Sequence, residues 1–134
     1  MPIMQIFITT ACTQEVRLSL FSSYTAAVNE ALGSPPERVR IVMTPVPVEW
    51  VCVGGVVGEH IVLINIYLLP GRTREQKRHL IRALVEATTR HTGLPESALR
   101  ILIYDMPKTN VAFGALSAEE LEEQSAALQS SPMP

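Results

Sequence analysis

Apolar positions recur along this chain in two alternating rhythms. Short apolar runs at residues 3–9 and 61–69 have the length of buried strands. Each is followed by a longer stretch in which apolar residues return at helical spacing. Leu18, Phe21, Val28 and Leu32 share roughly one face in the first, and Leu80, Ile81, Leu84, Val85 and Thr88 in the second. Thr13 and Thr73 stand where helix N-caps belong, and Gln76 follows Thr73 at capping-box spacing. Gly33 and Gly93 suit C-caps, with Pro35 and Pro95 close behind. Second strands are expected to start at Arg40 and Arg100 and to end at Pro47 and Pro107. Each half therefore reads strand, helix, strand.

The two halves are copies. A displacement of 60 residues lays Ile6 on Ile66, Thr13 on Thr73, Leu20 on Leu80 and Gly33 on Gly93 without a gap. It also lays Arg40 on Arg100, Pro47 on Pro107 and Gly54 on Gly114. The chain is expected to be one domain, 1–134, with pseudo-repeats 2–60 and 61–115 and a tail 116–134. Right-handed crossovers join parallel strands. Two β-α-β units then give a four-stranded sheet with two helices on one face, an α/β (α+β) fold. The other face still carries apolar residues, and in so small a chain another copy has to cover it. In the tail, Ser117 and Glu120 have the spacing of a capping box for a short final helix, and 130–134 are expected to fray.

Composition changes this picture little. Apolar residues are 47% of the 134, enough for a core. Charged residues are 18%, below the usual level of about 25%, which fits surface buried between subunits. The net charge is −2 and the basic residues are unclustered, which speaks against nucleic acid or an acidic membrane as partner. Cys12 and Cys52 lack zinc spacing, and His60, His79 and His91 are scattered, so no metal site is expected. The first residues lack a signal-peptide pattern, and residues 61–69 are too few to span a bilayer. The expectation is a soluble, cytoplasmic protein.

Several segments together resemble the tautomerase superfamily. Pro70-Gly71-Arg72-Thr73-Arg74-Glu75-Gln76-Lys77 is similar to the first helical turn of 4-oxalocrotonate tautomerase subunits. Val39-Arg40-Ile41 and Leu99-Arg100-Ile101 resemble their second-strand arginine segment, and Trp50-Val51-Cys52-Val53-Gly54-Gly55 their closing hairpin. Gly33-Ser34-Pro35-Pro36 and the stretch from Tyr104 to Val111 are also similar to macrophage migration inhibitory factor. The resemblance covers residues 2–115 and implies a fused two-unit tautomerase assembled as a homotrimer, needing no cofactor.

The resemblance also implies the site. Its hallmark is a proline directly after the initiator methionine, and Pro2 fits. Once Met1 is removed, Pro2 would be a secondary amine acting as general base in keto-enol proton transfer on a small 2-oxo or 2-hydroxy carboxylic acid. Val62 holds the equivalent place in the second unit and has no free amine, so one such site per chain is expected. Arg72 is the first candidate to hold the substrate carboxylate, since arginine offers a planar two-pronged donor. Arg100 is the second, reaching from a neighbouring subunit, and Arg40 the third. Leu69, Val111 and Phe113 are candidates for an apolar wall that excludes water. Trp50 is expected at a subunit boundary, and Tyr104 is either a hydrogen-bond donor or structural.

Relatives within the superfamily dehalogenate 3-chloroacrylic acid or decarboxylate malonate semialdehyde. The water-activating carboxylate of the dehalogenases would fall at Phe113, and their extra arginine at Leu69, so hydration chemistry is disfavoured. Cys12 departs from the tautomerases where an arginine is usual, as does Ala115 where a glycine is. Two alternatives stay open: a signalling or binding protein that kept the fold with little catalysis, and a promiscuous relative of the dehalogenases and decarboxylases.

Overall fold

The computed structural model describes residues 1–130. The expected fraying of 130–134 falls, beyond residue 130, outside the described residues. The first unit comprises β1 (Ile3–Ile8), α1 (Gln14–Leu32), β2 (Arg40–Pro45) and a small hairpin of β3 (Cys52–Val53) and β4 (Val56–Val57). The second repeats it with β5 (Val62–Leu68), α2 (Arg74–Thr92), β6 (Leu99–Asp105) and a hairpin of β7 (Ala112–Phe113) and β8 (Leu116–Ser117). A final helix, α3 (Ala118–Ser130), follows. The second strands end before Pro47 and Pro107, because each of these prolines opens a short 3-10 turn instead.

The helix ends obey the capping signals. Thr13 accepts from the Val16 N–H, and Thr73 with Gln76 forms a complete capping box. Gly33 and Gly93 sit at φ 71° and 74°, a left-handed conformation that side chains disfavour. At α3, the Glu120 N–H donates to Ser117 Oγ at 3.1 Å.

The main sheet runs in the order β2-β1-β5-β6. Within each unit the strands are parallel, whereas β1 and β5 pair antiparallel, with Ile3 opposite Tyr67 and Ile8 opposite Val62. Equivalent points of the two halves therefore lie at opposite ends of the sheet. The start of β1 meets the end of β5, and the start of β5 meets the end of β1.

Strand side chains alternate between faces. Met4, Ile6, Ile8, Val62, Ile64, Ile66 and Leu68 point to the helices and are buried. The helices close over them with Leu20, Tyr24, Val28, Leu80 and Leu84. Between α1 and α2 the Tyr24 hydroxyl and Thr88 Oγ1 bond at 2.6 Å, and burial pushes the Tyr24 phenol up to about 12. Two expected core residues face outward: Leu18 is 53% exposed and Ile81 37%. The stripe of α1 is centred on Leu20, Tyr24 and Ala27. Leu18, two residues before Leu20, points about 200° away from it at about 100° per residue. Ile81 stands next to Leu80, at the edge of its stripe.

The other sheet face has no helix. Ile3, Phe7, Leu63 and Tyr67 are half-buried there, while Val42 and Leu102 are exposed. Tyr104 stacks on Tyr67 with ring centroids 5.0 Å apart. Trp50 is 80% exposed at the first hairpin. Among the described residues, no helix is long and apolar enough to cross a membrane.

Candidate active site

The sheet register decides which side chains surround the N-terminus. Pro2 precedes β1 and is buried. Parallel pairing sets Ile3 beside Arg40, whose N–H donates to the Pro2 carbonyl at 3.1 Å. Antiparallel pairing brings the end of β5, with Leu69 and Arg72 just beyond it, to the same edge. Arg38 arrives on the 3-10 turn before β2.

Together they open a cavity of about 620 Å³, with Met1, Arg38, Arg40 and Arg72 on its polar side and Leu69 and Phe113 on its apolar side. Leu121 and Glu122 of α3 form a further wall, and Lys108 pairs with the Glu122 carboxylate. A smaller cavity of about 220 Å³ shares Met1, Arg40 and Phe113 and adds Val111. Thus Pro2, Arg40, Arg72, Leu69, Val111 and Phe113 gather at one end of the sheet.

Arg72 is held in position. Its Nη1 donates to the Leu32 carbonyl at 2.5 Å and its Nη2 to Ser34 Oγ at 3.4 Å. Leu32 ends α1, which has no basic residue in its last turn. The guanidinium thus satisfies a carbonyl left free by the helix end and meets its negative dipole. Among the described residues, Arg38, Arg40 and Arg72 have no carboxylate partner.

The chain's amine, here on Met1, feels this environment. Burial is the largest influence, followed by the charges of Arg38, Arg40 and Arg72. All hold the ammonium below its ordinary value of 8.0. An amine so placed is more readily neutral and able to accept a proton, beside cations that hold anions.

Arg100 does not join this group within its own chain. It lines a different cavity, of about 510 Å³, at the opposite end of the sheet. Sequence reasoning missed Arg38 because its repeat mate is Ala98. A weak signal existed: Arg38 stands only two residues before Arg40, near enough in the chain for both to reach one sheet edge. The α3 wall was also missed, because the repeat stops before it. Among the described residues, no group of three His, Cys, Asp or Glu is poised to hold a metal ion.

Known proteins share this architecture. A family model described as tautomerase enzyme matches residues 63–120. The 2-hydroxymuconate tautomerase of Comamonas testosteroni is 39% identical over 57 residues, covering 42% of this chain and 90% of that one. A solved fused 4-OT, a wild-type symmetric trimer, superposes with a TM-score of 0.84 at 30% identity, covering 89% of this chain and 98% of that one. Pt0534 inactivated by 2-oxo-3-pentynoate superposes with a TM-score of 0.84 at 28% identity, covering 89% and 98%. Two units in one sheet, a buried second residue among arginines, and these relatives lead to one conclusion: the chain is an enzyme that belongs to the tautomerase family.

Proposed function

We propose that the protein is a cofactor-independent tautomerase in which Pro2, freed by removal of Met1, is the general base. The observation that carries this reading is the convergence of Arg38, Arg40 and Arg72 on the chain's amine. Neutral Pro2 takes a proton from a carbon beside a carbonyl, and its conjugate acid returns one elsewhere on the same molecule. The substrate is a small 2-oxo or 2-hydroxy carboxylic acid of the 2-hydroxymuconate type. Arg72 holds its carboxylate, while Arg40 and Arg38 oppose the negative charge that develops on the enolate oxygen. Leu69, Val111 and Phe113 exclude water, which strengthens those charge interactions. Arg100 acts in this site only by reaching across from a neighbouring copy.

We also propose a homotrimer. It is supported by the helix-free sheet face with Val42 and Leu102 exposed, and by the fused 4-OT relative being a trimer.

The deciding experiment combines mass spectrometry of the purified protein with turnover of 2-hydroxymuconate. The active protein is expected to lack Met1. Pro2→Ala should keep the fold and lose most activity, since alanine leaves a more flexible primary amine. Full activity in a chain that retains Met1, or in Pro2→Ala, rules out proline as the base.

A further inference from the structure

The 60-residue displacement carries the Pro2 cavity onto a second one. Met1 maps to Ile61, Glu37 to Ser97, Arg38 to Ala98, Arg40 to Arg100 and Phe113 to Val53. These five mates line the cavity at the opposite end of the sheet, whereas Thr9, Cys12 and Gly58, the mates of Leu69, Arg72 and Ala118, do not. Its volume of about 510 Å³ approaches the 620 Å³ of the first. The space has been kept while the chemistry has changed. No free amine exists here, because residues 61 and 62 are joined by an ordinary amide, and the Ile61 N–H is tied to Thr9 Oγ1 at 2.8 Å. The equivalent of Arg72 is Cys12, and the equivalent of Arg38 is Ala98.

One anion anchor remains. Arg100 is exposed, and its Nη1 donates to the carbonyls of Ser97 and Leu99 at 3.2 and 2.9 Å. Those bonds orient the guanidinium and leave its other N–H groups without a partner among the described residues. The apolar wall of this cavity includes Val53, Leu94 and Pro95. His60 stands at the same cavity, its Nδ1 3.2 Å from Thr9 Oγ1. Its Nε2 is therefore available as a second polar contact. Glu59 also lines the space and has no ion-pair partner among the described residues. Its charge repels a second carboxylate on any ligand.

We propose that this second cavity is a non-catalytic binding site for a small monocarboxylate with an apolar body, anchored by Arg100. One cation suits one carboxylate, the apolar wall takes the body, and Glu59 discriminates against dicarboxylates. The site draws on Val53, Glu59 and His60 of the first unit and on Arg100 of the second, and it does not depend on Pro2 being the base.

The test uses the full chain, first treated with 2-oxo-3-pentynoate so that the amine at Pro2 is blocked, with the modification located by mass spectrometry. Binding of 4-fluorophenylacetate is then followed by fluorine NMR and calorimetry. One saturable site per chain is expected to survive the block. Arg100→Ala should weaken it by about tenfold or more, the loss of a charged hydrogen-bond partner. Val53→Trp should close the cavity and abolish binding while leaving turnover unchanged. Absence of saturable binding in the blocked protein overturns the proposal. So does binding that is indifferent to both Arg100→Ala and Val53→Trp, in variants whose circular dichroism is native. If Pro2 resists the reagent, that counts against proline as the base. The second site is then read in the same titration as the part of the binding that Val53→Trp abolishes and Arg72→Ala leaves intact.

Discussion

Replacing Arg72 by alanine removes the proposed carboxylate anchor and a helix cap together, and the two losses can be measured apart. The guanidinium is half-buried and oriented by the Leu32 carbonyl and Ser34 Oγ. It therefore meets the substrate without first being ordered. A charged hydrogen bond contributes about 1.5–3 kcal/mol, so kcat/KM should fall roughly 10- to 150-fold at about 1.4 kcal/mol per decade. The loss should exceed that of Arg40→Ala. Arg40 is exposed, so solvent screens its charge more, and its backbone bond to Pro2 survives the substitution. The cap at Leu32 is a separate matter of about 1 kcal/mol, read as a fall of a few degrees in Tm. The assay is steady-state turnover of 2-hydroxymuconate at a pH where the amine is neutral in every variant. Arg82→Ala, an exposed change on α2, serves as control. Arg72→Lys should recover part of the loss, since it keeps the charge without the planar fork. If Arg72→Ala matches the Arg82 control within twofold, Arg72 does not hold substrate. If it matches Arg40→Ala, the ranking of the two arginines is wrong.

Other outcomes follow from the same geometry. Cations and burial disfavour the ammonium, so the neutral amine persists to lower pH. With Met1 removed the amine moves one residue into the same edge, so the acid limb of kcat/KM should lie below the ordinary 8.0, and loss of Arg38 or Arg72 should move it upward; a limb at or above 8.0 in the unaltered enzyme contradicts this. Hydrolytic release of chloride from 3-chloroacrylate should be negligible, because Phe113 and Leu69 supply neither a water-activating carboxylate nor an extra cation. Chloride release at the rate of tautomerisation would implicate Glu122, the α3 carboxylate that lines the cavity. Sedimentation at micromolar concentration should show a trimer, and Leu102→Glu should give folded monomers by charging the open sheet face. A monomer without any substitution would falsify the assembly.

Much of the fold was legible because the signals are local. Threonine caps, glycine stops and two apolar runs fixed the helices and inner strands to within a residue or two, and the repeat ordered them. Leu18 and Ile81 were misplaced because each helix packs against both the sheet and its twin. The buried stripe is then turned by contacts that spacing alone does not record. At the site, Arg72 and Pro2 were named through resemblance, and the antiparallel pairing of β1 and β5 explains why they lie at one end of the sheet. Arg38 escaped because the repeat highlights what the halves share, whereas the Pro2 site depends on where they differ. The distance between Arg100 and Pro2 in one chain follows from that same pairing, which no local pattern encodes.

That pairing has an electrical consequence. Because β1 and β5 run in opposite directions, every substitution made in only one half becomes a difference between the two ends of the sheet. One pole carries Arg38, Arg40 and Arg72 with Glu37 and a Glu122 paired to Lys108; the other carries Arg100 together with Glu59. A single-unit chain that assembled with itself would carry the same residues in every unit, and its two ends would be alike. Fusion lets the molecule acquire a direction. The two ends therefore offer a small anion different fields, which identical units could not do.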